Sequence, residues 1–408
     1  MRVCILGGDG YLGWPTAMHF SERGHQVLAV DSCVKRRLEA ELSISPLEDV
    51  PDFEQRADRW NQLGGNEIKT IRGDIYLEKD LMNEICRQFK PDVIVHYAEQ
   101  PSAPYSMLNR EAAAYTQVNN VVGTLNVMFA MHDHAPRAHL IKLGTMGEYG
   151  TPNIDIEEGW ITVNHKGRSD RMVYPKRPSS YYHCSKVHDS TNLEFACRSW
   201  GLRVTDLNQG VVYGIETSEM ARDPQRLRTS FHYDDVFGTV LNRFVVQAVA
   251  GVPLTVYGAG GQTRGYLNIK DTLACVEIAA LNPADSGEFR VFNQFTEQFS
   301  VSDLADRVSR VARRRNIAVE TQHIDNPRVE AEKHYYNAVN TSLLDLGLEP
   351  HLLDDDVIDG MISRAIAAED NIRLSSIMPR LNWARGATSA AQLLASRSSA
   401  EESTAVLS

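Results

Sequence analysis

The first half of the chain alternates short apolar runs with longer mixed stretches. Arg2-Val-Cys-Ile-Leu6 is followed by a mixed segment through Ser21, and then by Gln26-Val-Leu-Ala-Val30. Ile68–Ile75, Asp92–Ala98, Ala138–Leu143 and Leu202–Leu207 repeat the apolar pattern and read as strands. Leu77–Phe89, the segment around Asn119–Asn126 and the one opening at Ser180 read as helices. Runs that are apolar throughout suit strands covered on both faces, and strand–helix repetition predicts a parallel sheet. The expected fold class is α/β: a Rossmann-like parallel sheet flanked by helices, with a smaller mixed α/β substrate-binding lobe.

The pattern assigns residues 1–207 to the Rossmann domain, with segments near 233–251 and 268–281 returning to it. Residues 208–384 form mainly the substrate lobe, and 385–408, rich in alanine and serine without apolar period, a flexible tail. Lys35–Gly65 is polar and longer than a simple crossover; packing on a partner subunit, cover over a ligand and a solvated insertion all remain open. Residues 151–179, rich in proline, glycine and charge, predict an extended loop or hairpin over the site. Leu304–Arg315 predicts an amphipathic helix with an arginine-rich exposed face.

Chemistry enters at the end of the first strand, with Gly7-Gly-Asp-Gly-Tyr-Leu-Gly13. Glycines at 7, 10 and 13 permit a tight strand-to-helix turn, close approach of a pyrophosphate and close helix packing. The second strand ends at Asp31, an acid placed to accept from the two ribose hydroxyls of NAD+ and to repel a 2′-phosphate, so NAD is expected over NADP. Arg36 and Arg37 nearby pull the other way. Asp74, with Ile75, ends the third strand where it would meet the adenine side.

Ser180-Tyr-Tyr-His-Cys-Ser-Lys186 places Tyr182 and Lys186 four residues apart on one helical face. An ammonium beside a phenol favours phenolate, which makes a general base. Thr145, at a strand end, adds an uncharged hydroxyl that can orient a substrate alcohol, completing a Thr/Tyr/Lys set for alcohol oxidation. The loop Glu99–Ser106, with Gln100, leaves the carboxyl end of the sheet, where ligands bind in open α/β folds. Capping or helix packing accounts for Asn119 as well as positioning of the tyrosine does. Arg264 and Arg328 suit a nucleotide diphosphate, since a guanidinium matches phosphate oxygens bidentately.

Composition narrows the partners. Acidic residues, 53, outnumber the 42 lysines and arginines, giving a formal charge of -11 and no basic patch for nucleic acid. No stretch approaches an apolar membrane span, so membrane insertion is not expected, and no signal or transit segment is expected ahead of the first strand. The six cysteines, at 4, 33, 86, 184, 197 and 275, form no metal-ligand cluster, and no metal is expected. A cytoplasmic enzyme is the expected class, with a homodimer as its assembly.

GGDGYLGW, SAPYSM, NNVVGTLNV, KLGTMGEYGTPNIDIEEG, YYHCSKVHDS, DLNQGVVYG, YGAGGQTRGYL and NPRVEAEKHYYNA carry a specific likeness over residues 1 to about 384. The chain resembles the extended short-chain dehydrogenase/reductases, and among them the UDP-sulfoquinovose synthase family of sulfolipid biosynthesis. The resemblance implies retained NAD+, oxidation of UDP-glucose at C4, loss of water across C5 and C6, addition of sulfite at C6 and return of the hydride. It places the family's threonine, tyrosine, lysine and histidine on Thr145, Tyr182, Lys186 and His183, and a sugar-contacting turn on Asn208-Gln209.

Relatives that perform 4,6-dehydration carry Asp-Glu where this chain has Met146-Gly147. His183 is then expected to move the C5 proton, and Glu148 to orient the substrate or deliver a proton at C6, unless Glu148 caps a backbone turn. Two departures bear on sulfite: Pro101 stands where the family has arginine, and Arg177-Pro178 where it has Gln-Ala. Sulfite capture would then use Arg177, another residue or a sulfite-delivering protein. C4 epimerisation or dehydration without sulfite is the alternative chemistry. An inactive dinucleotide sensor is the alternative class, although a sensor does not need Thr145, Tyr182 and Lys186 together.

Overall fold

The computed structural model describes residues 1–328, 335–378 and 383; the expected tail at 385–408 lies outside them. In chain order the first part runs β1 (Arg2–Leu6), α1 (Gly13–Glu22), β2 (Gln26–Asp31), α2 (Val34–Glu41), α3 (Phe53–Gln62), β3 (Ile68–Arg72), α4 (Leu81–Gln88), β4 (Val93–His96), α5 (Ala103–Ser106), α6 (Arg110–His134) and β5 (His139–Thr145). A hairpin of β6 (Trp160–His165) and β7 (Arg168–Val173) precedes α7 (Tyr181–Trp200), β8 (Arg203–Gln209) and β9 (Val211–Tyr213). The remainder is α8 (Val240–Val249), β10 (Leu254–Tyr257), β11 (Thr263–Asn268), α9 (Ile269–Leu281), β12 (Phe289–Gln294), β13 (Glu297–Ser300), α10 (Val301–Arg314), β14 (Thr321–Ile324), α11 (Ser342–Asp345) and α12 (Asp355–Ala367).

Seven strands form one parallel sheet in the order β12-β8-β5-β4-β1-β2-β3. The order reverses between β1 and β4, and that switch opens a crevice at the strands' carboxyl ends. One face carries α1, α3 and α9, burying Trp14, Phe20, Phe53, Trp60 and Val276. The other carries α4, α6 and α7, burying Met82, Ile85, Val127, Met131 and Leu193. Since helices cover both faces, β1 and β4 are buried almost throughout, which is why they read as unbroken apolar runs.

Two expected boundaries are corrected. The segment 233–251 does not return to the Rossmann side: Tyr233, Leu241, Phe244 and Val245 pack with Leu304 and Val308 of α10 and Ile358 and Ile362 of α12, as the core of the smaller lobe. The late strand β12, assigned to that lobe from sequence, instead forms the edge of the main sheet beside β8. Lys35–Gly65 is neither solvated nor an outlying arm, because α3 buries Phe53, Ala57 and Trp60 against the sheet. The arginine-rich face of α10 meets the acids of α12: Arg310 and Arg314 pair with Asp355 at 2.6 and 2.7 Å, and Arg315 pairs with Asp359. Among the described residues, no helix is long and apolar enough to cross a membrane.

Candidate active site

The carboxyl ends of the strands and the smaller lobe enclose a cavity of about 1020 Å³. At one end lies the glycine turn. Gly7 has φ +88°, and a Cβ there would stand 2.7 Å from the Tyr97 carbonyl carbon; a Cβ at Gly13 would stand 1.9 Å from Gly7 O. Neither position has room for a side chain, so the turn stays tight and, with Gly10, leaves backbone along the cavity beside the start of α1, an anion cradle.

Asp31 lines the same end, its Oδ2 accepting from Asp9 N at 2.8 Å and its Oδ1 from Cys33 N at 2.7 Å. Burial and the neighbouring Asp9 charge push its carboxyl up to about 6, against the pull of those donors. Asp9 holds Arg36 through two bonds of 2.7 Å and also holds the buried Arg56 of α3. Arg37 pairs with Glu41 at 3.5 Å. Neither Arg36 nor Arg37 lines the cavity, so neither is offered to a 2′-phosphate. Asp74 and Ile75 complete this end, with Asp74 Oδ1 also accepting from Tyr76 N at 2.9 Å. A site with an acid at the ribose position and a side-chain-free pyrophosphate turn fits NAD+.

The middle of the cavity is walled by Thr145, Tyr182 and His183. Ser180 caps α7, accepting from His183 N at 3.2 Å, and Tyr182 N donates to Ser106 Oγ at 3.0 Å, which pins the helix start to the end of α5. Thr145 Oγ1 accepts from Gly147 N at 3.1 Å, and the hydroxyl hydrogen remains for a ligand. His183 Nδ1 lies 3.0 Å from Ser179 Oγ. Burial, then the charges of Arg328, Arg264 and Lys186, depress the imidazole to about 3 in spite of Glu148, so it is neutral at working pH.

Tyr182 and Lys186 were also expected to bind the cofactor, Lys186 at the nicotinamide ribose; Tyr182 lines the cavity and Lys186 does not. It sits one turn down, donating to Leu143 O and paired with Glu99, its Nζ 5.8 Å from the Tyr182 ring centroid. The ammonium expected to favour the Tyr182 phenolate is paired with a carboxylate from another element. Burial, followed by the charges of Glu99, Glu148 and Asp189, raises Tyr182 well above its ordinary range. Glu99 offsets the ammonium that was to favour phenolate.

Three further side chains are used internally: Glu148 takes the backbone-capping alternative, and the expectation that Gln100 and Asn208 meet the substrate is corrected. Glu148 is fully buried: its side chain completes a capping box with Thr145, and it is ion-paired with Lys142 at 3.2 Å and with Lys176. Burial alone would raise its carboxyl, but the two lysines and Ser190 hold it at about 2. Gln100 is buried between Ser102 and Thr116, with Nε2 donating to Thr116 Oγ1 at 2.8 Å. Asn208 donates to Tyr149 OH at 2.7 Å beneath the sheet edge. None of the three lines the cavity, whereas Gln209 does. Asn119 also lines it and donates to Asn120 Oδ1 at 3.0 Å.

At the far end stand Arg264 and Arg328, together with Arg243, which was not singled out from sequence. Arg243 is buried in α8, donates to Tyr257 OH at 2.6 Å and Thr255 O at 3.1 Å, and stacks on the Tyr257 ring at 4.3 Å. Its signal was an arginine inside a buried, mainly apolar helix. Glu99 was likewise missed, although an acid directly after a buried strand marks the carboxyl edge of the sheet. Arg177 and Pro101 line the cavity too, and both are exposed.

The NAD dependent epimerase/dehydratase family model matches residues 3–293. The chain is 54% identical over 382 residues to a chloroplastic UDP-sulfoquinovose synthase of Spinacia oleracea, covering 94% of this chain and 79% of that protein. It is 40% identical over 386 residues to a UDP-sulfoquinovose synthase of Sulfolobus acidocaldarius, covering 94% and 98%. Its fold superposes on a UDP-glucose 4-epimerase of Thermotoga maritima solved with UDP-glucose, with a TM-score of 0.64, 19% identity, and coverage of 91% and 99%.

Proposed function

Because the chain belongs to the NAD dependent epimerase/dehydratase family, and within it to the UDP-sulfoquinovose synthases, we propose that it converts UDP-glucose and sulfite to UDP-sulfoquinovose through 4-keto and 4-keto-5,6-ene sugars. It is an NAD-dependent nucleotide-sugar enzyme. The observation that carries the reading is one cavity in which Thr145, Tyr182 and a neutral His183 lie between the glycine turn and a group of arginines.

NAD+, which the glycine turn and Asp31 would hold, would supply the hydride acceptor for C4 and the hydride donor for the final reduction. Tyr182, acting as phenolate, takes the C4 hydroxyl proton while the Thr145 hydroxyl orients that oxygen; the positive charge of bound NAD+ would favour that form against the burial and the carboxylates that raise the free phenol. A ketone at C4 acidifies the C5 hydrogen, since the resulting carbanion spreads onto the carbonyl oxygen. His183 removes that proton and returns it to the departing C6 hydroxyl, so that water leaves and sulfite can add at C6. Burial first, and then the charges of Arg328 and Arg264, keep the free imidazole neutral and able to accept that proton.

Arg177 suits sulfite capture: it lines the same cavity as Pro101, is exposed, and has no ion-paired carboxylate among the described residues. The test is to incubate purified enzyme and NAD+ with nucleotide hexoses, with and without sulfite, and to analyse the products by mass and NMR. A C6 sulfonate from UDP-glucose, formed only with sulfite, supports the reading. C4 inversion or a dehydrated sugar, formed equally without sulfite and with no sulfonate, replaces it. Arg177→Ala should raise the sulfite concentration needed at least tenfold while NADH still forms on the enzyme.

A homodimer is part of the same proposal. Val118 and Phe129 of α6 and Tyr181 and Phe195 of α7 are exposed apolar side chains on two helices packed side by side. Sedimentation of Phe129→Lys/Phe195→Lys should show monomer where the wild type shows dimer. The six unpaired thiols suit a reducing compartment, the cytoplasm in this reading.

A further inference from the structure

We propose that Glu99 is a positioning residue for C4 oxidation: its carboxylate reaches from the loop after β4 to the Lys186 ammonium, holds it beneath Tyr182, and ties the cavity floor to the catalytic helix. The proposal rests on the C4-oxidation reading above. Both partners have side chains only 2% exposed, and Glu99 lines the cavity while Lys186 stands behind it. Among the described residues, neither carboxylate oxygen has a hydrogen-bond partner, and Lys186 is the lysine or arginine within ion-pairing distance. A buried carboxylate with a single cation is held by that cation, and the cation by it.

The neighbouring elements show no competitor for this role. From β4, His96 Nε2 is 3.9 Å away, but burial, then the charges of Lys186 and Lys142, depress that imidazole to about 3 and leave it neutral. From β5, Lys142 is engaged by Glu148 and Asp206. α7 itself adds Asp189, whose oxygens have no partner among the described residues and whose carboxyl is raised well above its ordinary range, by burial first and then by Glu99. The side chains that α6 brings to this region are uncharged: Asn120 accepts from Gln100 N at 2.8 Å and donates to Ser185 Oγ at 3.0 Å. The loop is thus joined to α7 by a neutral bridge through Asn120 and a charged one through Glu99.

The arrangement has a consequence for proton transfer. A carboxylate near a buried phenol favours the protonated phenol, and Glu99 is the leading charge acting on Tyr182 in this sense. Glu99→Gln removes that charge and also releases the ammonium from its partner. Both changes lower the proton affinity of Tyr182, so the two effects add in one direction.

Stopped-flow NADH absorbance after mixing the holoenzyme with UDP-glucose, measured across pH, reads the half-reaction. Glu99→Gln should lower the plateau rate about tenfold and move the profile's midpoint down by about one pH unit. Glu99→Asp keeps the charge and should lower the rate while holding the wild-type midpoint. NMR of holoenzyme carrying labelled tyrosine, with the resonance assigned by Tyr182→Phe, should show the same downward shift in Glu99→Gln without turnover. Wild-type rate and midpoint in Glu99→Gln would overturn the proposal. So would an equal rate loss in both variants with unmoved midpoints, since that marks a merely structural residue. Absence of the NADH burst from wild type would overturn the underlying C4-oxidation reading and the proposal with it.

Discussion

Ser179 Oγ holds His183 Nδ1 at 3.0 Å, and the other ring nitrogen faces Gly147, where a Cβ would come within 2.2 Å of it. The imidazole therefore occupies the space beside position 147, one of the two places where the resemblance implied an Asp-Glu pair in enzymes that perform 4,6-dehydration. Glycine at 147 is what admits the ring.

His183→Ala should form NADH on the enzyme after UDP-glucose is added, yet lose solvent-deuterium exchange at C5 by roughly 100-fold or more. Gly147→Ala should reproduce part of that loss by displacing the ring. Exchange at the wild-type rate in His183→Ala would assign the C5 proton to another group.

Tyr182→Phe keeps the ring in its pocket and the backbone N–H bond to Ser106, so fold and cofactor content should be retained. The NADH burst should fall by roughly 100-fold to 10,000-fold, the range of a lost acid–base group. A burst of wild-type size would remove Tyr182 from the role of C4 base.

Asp31 supplies a pH dependence of cofactor binding. Its folded carboxyl lies at about 6, above the ordinary value, so the free site holds it protonated below that pH. The ionised form accepts from ribose hydroxyls, hence NAD+ binding should tighten as pH rises through about 6 and weaken as it falls. Equilibrium titration at several pH values measures this, and Asp31→Asn should bind more weakly with a flatter profile. Tighter binding of NADP than of NAD would contradict the assignment of Asp31.

Glu148 should prove a stability residue. Glu148→Ala leaves Lys142 and Lys176 buried without this carboxylate, a change of the kind that costs about 3–5 kcal/mol, visible in thermal or denaturant unfolding. Because its folded carboxyl is depressed to about 2, the contribution is fully present above the ordinary carboxylate range and is lost as pH falls through that value. Wild-type unfolding in the variant, together with loss of C6 chemistry, would restore the proton-delivery role.

The boundary between what was legible in the chain and what was not follows the range of the interactions. The glycine turn, the acid ending β2, the parallel α/β plan and the Tyr182-to-Lys186 spacing are local: each depends on residues a few positions apart and on the period of a strand or helix. The likeness of motifs along the chain carried the family and its chemistry. Tertiary structure alone decided which polar side chains face the ligand, because the folded core must also satisfy its own polar groups. Gln100, Asn208 and Glu148 sit in loops and strand ends that look like site material, yet each is drawn into internal bonds. Arg243 reaches the cavity because α8 packs into the smaller lobe, a contact set by α10 and α12 far downstream. The Glu99–Lys186 pair joins residues on different elements, and with it the charge state of Tyr182 becomes a property of the assembled site. Spacing placed the tyrosine and lysine on one helix face, while burial and a carboxylate from another element determined which of them the ammonium serves.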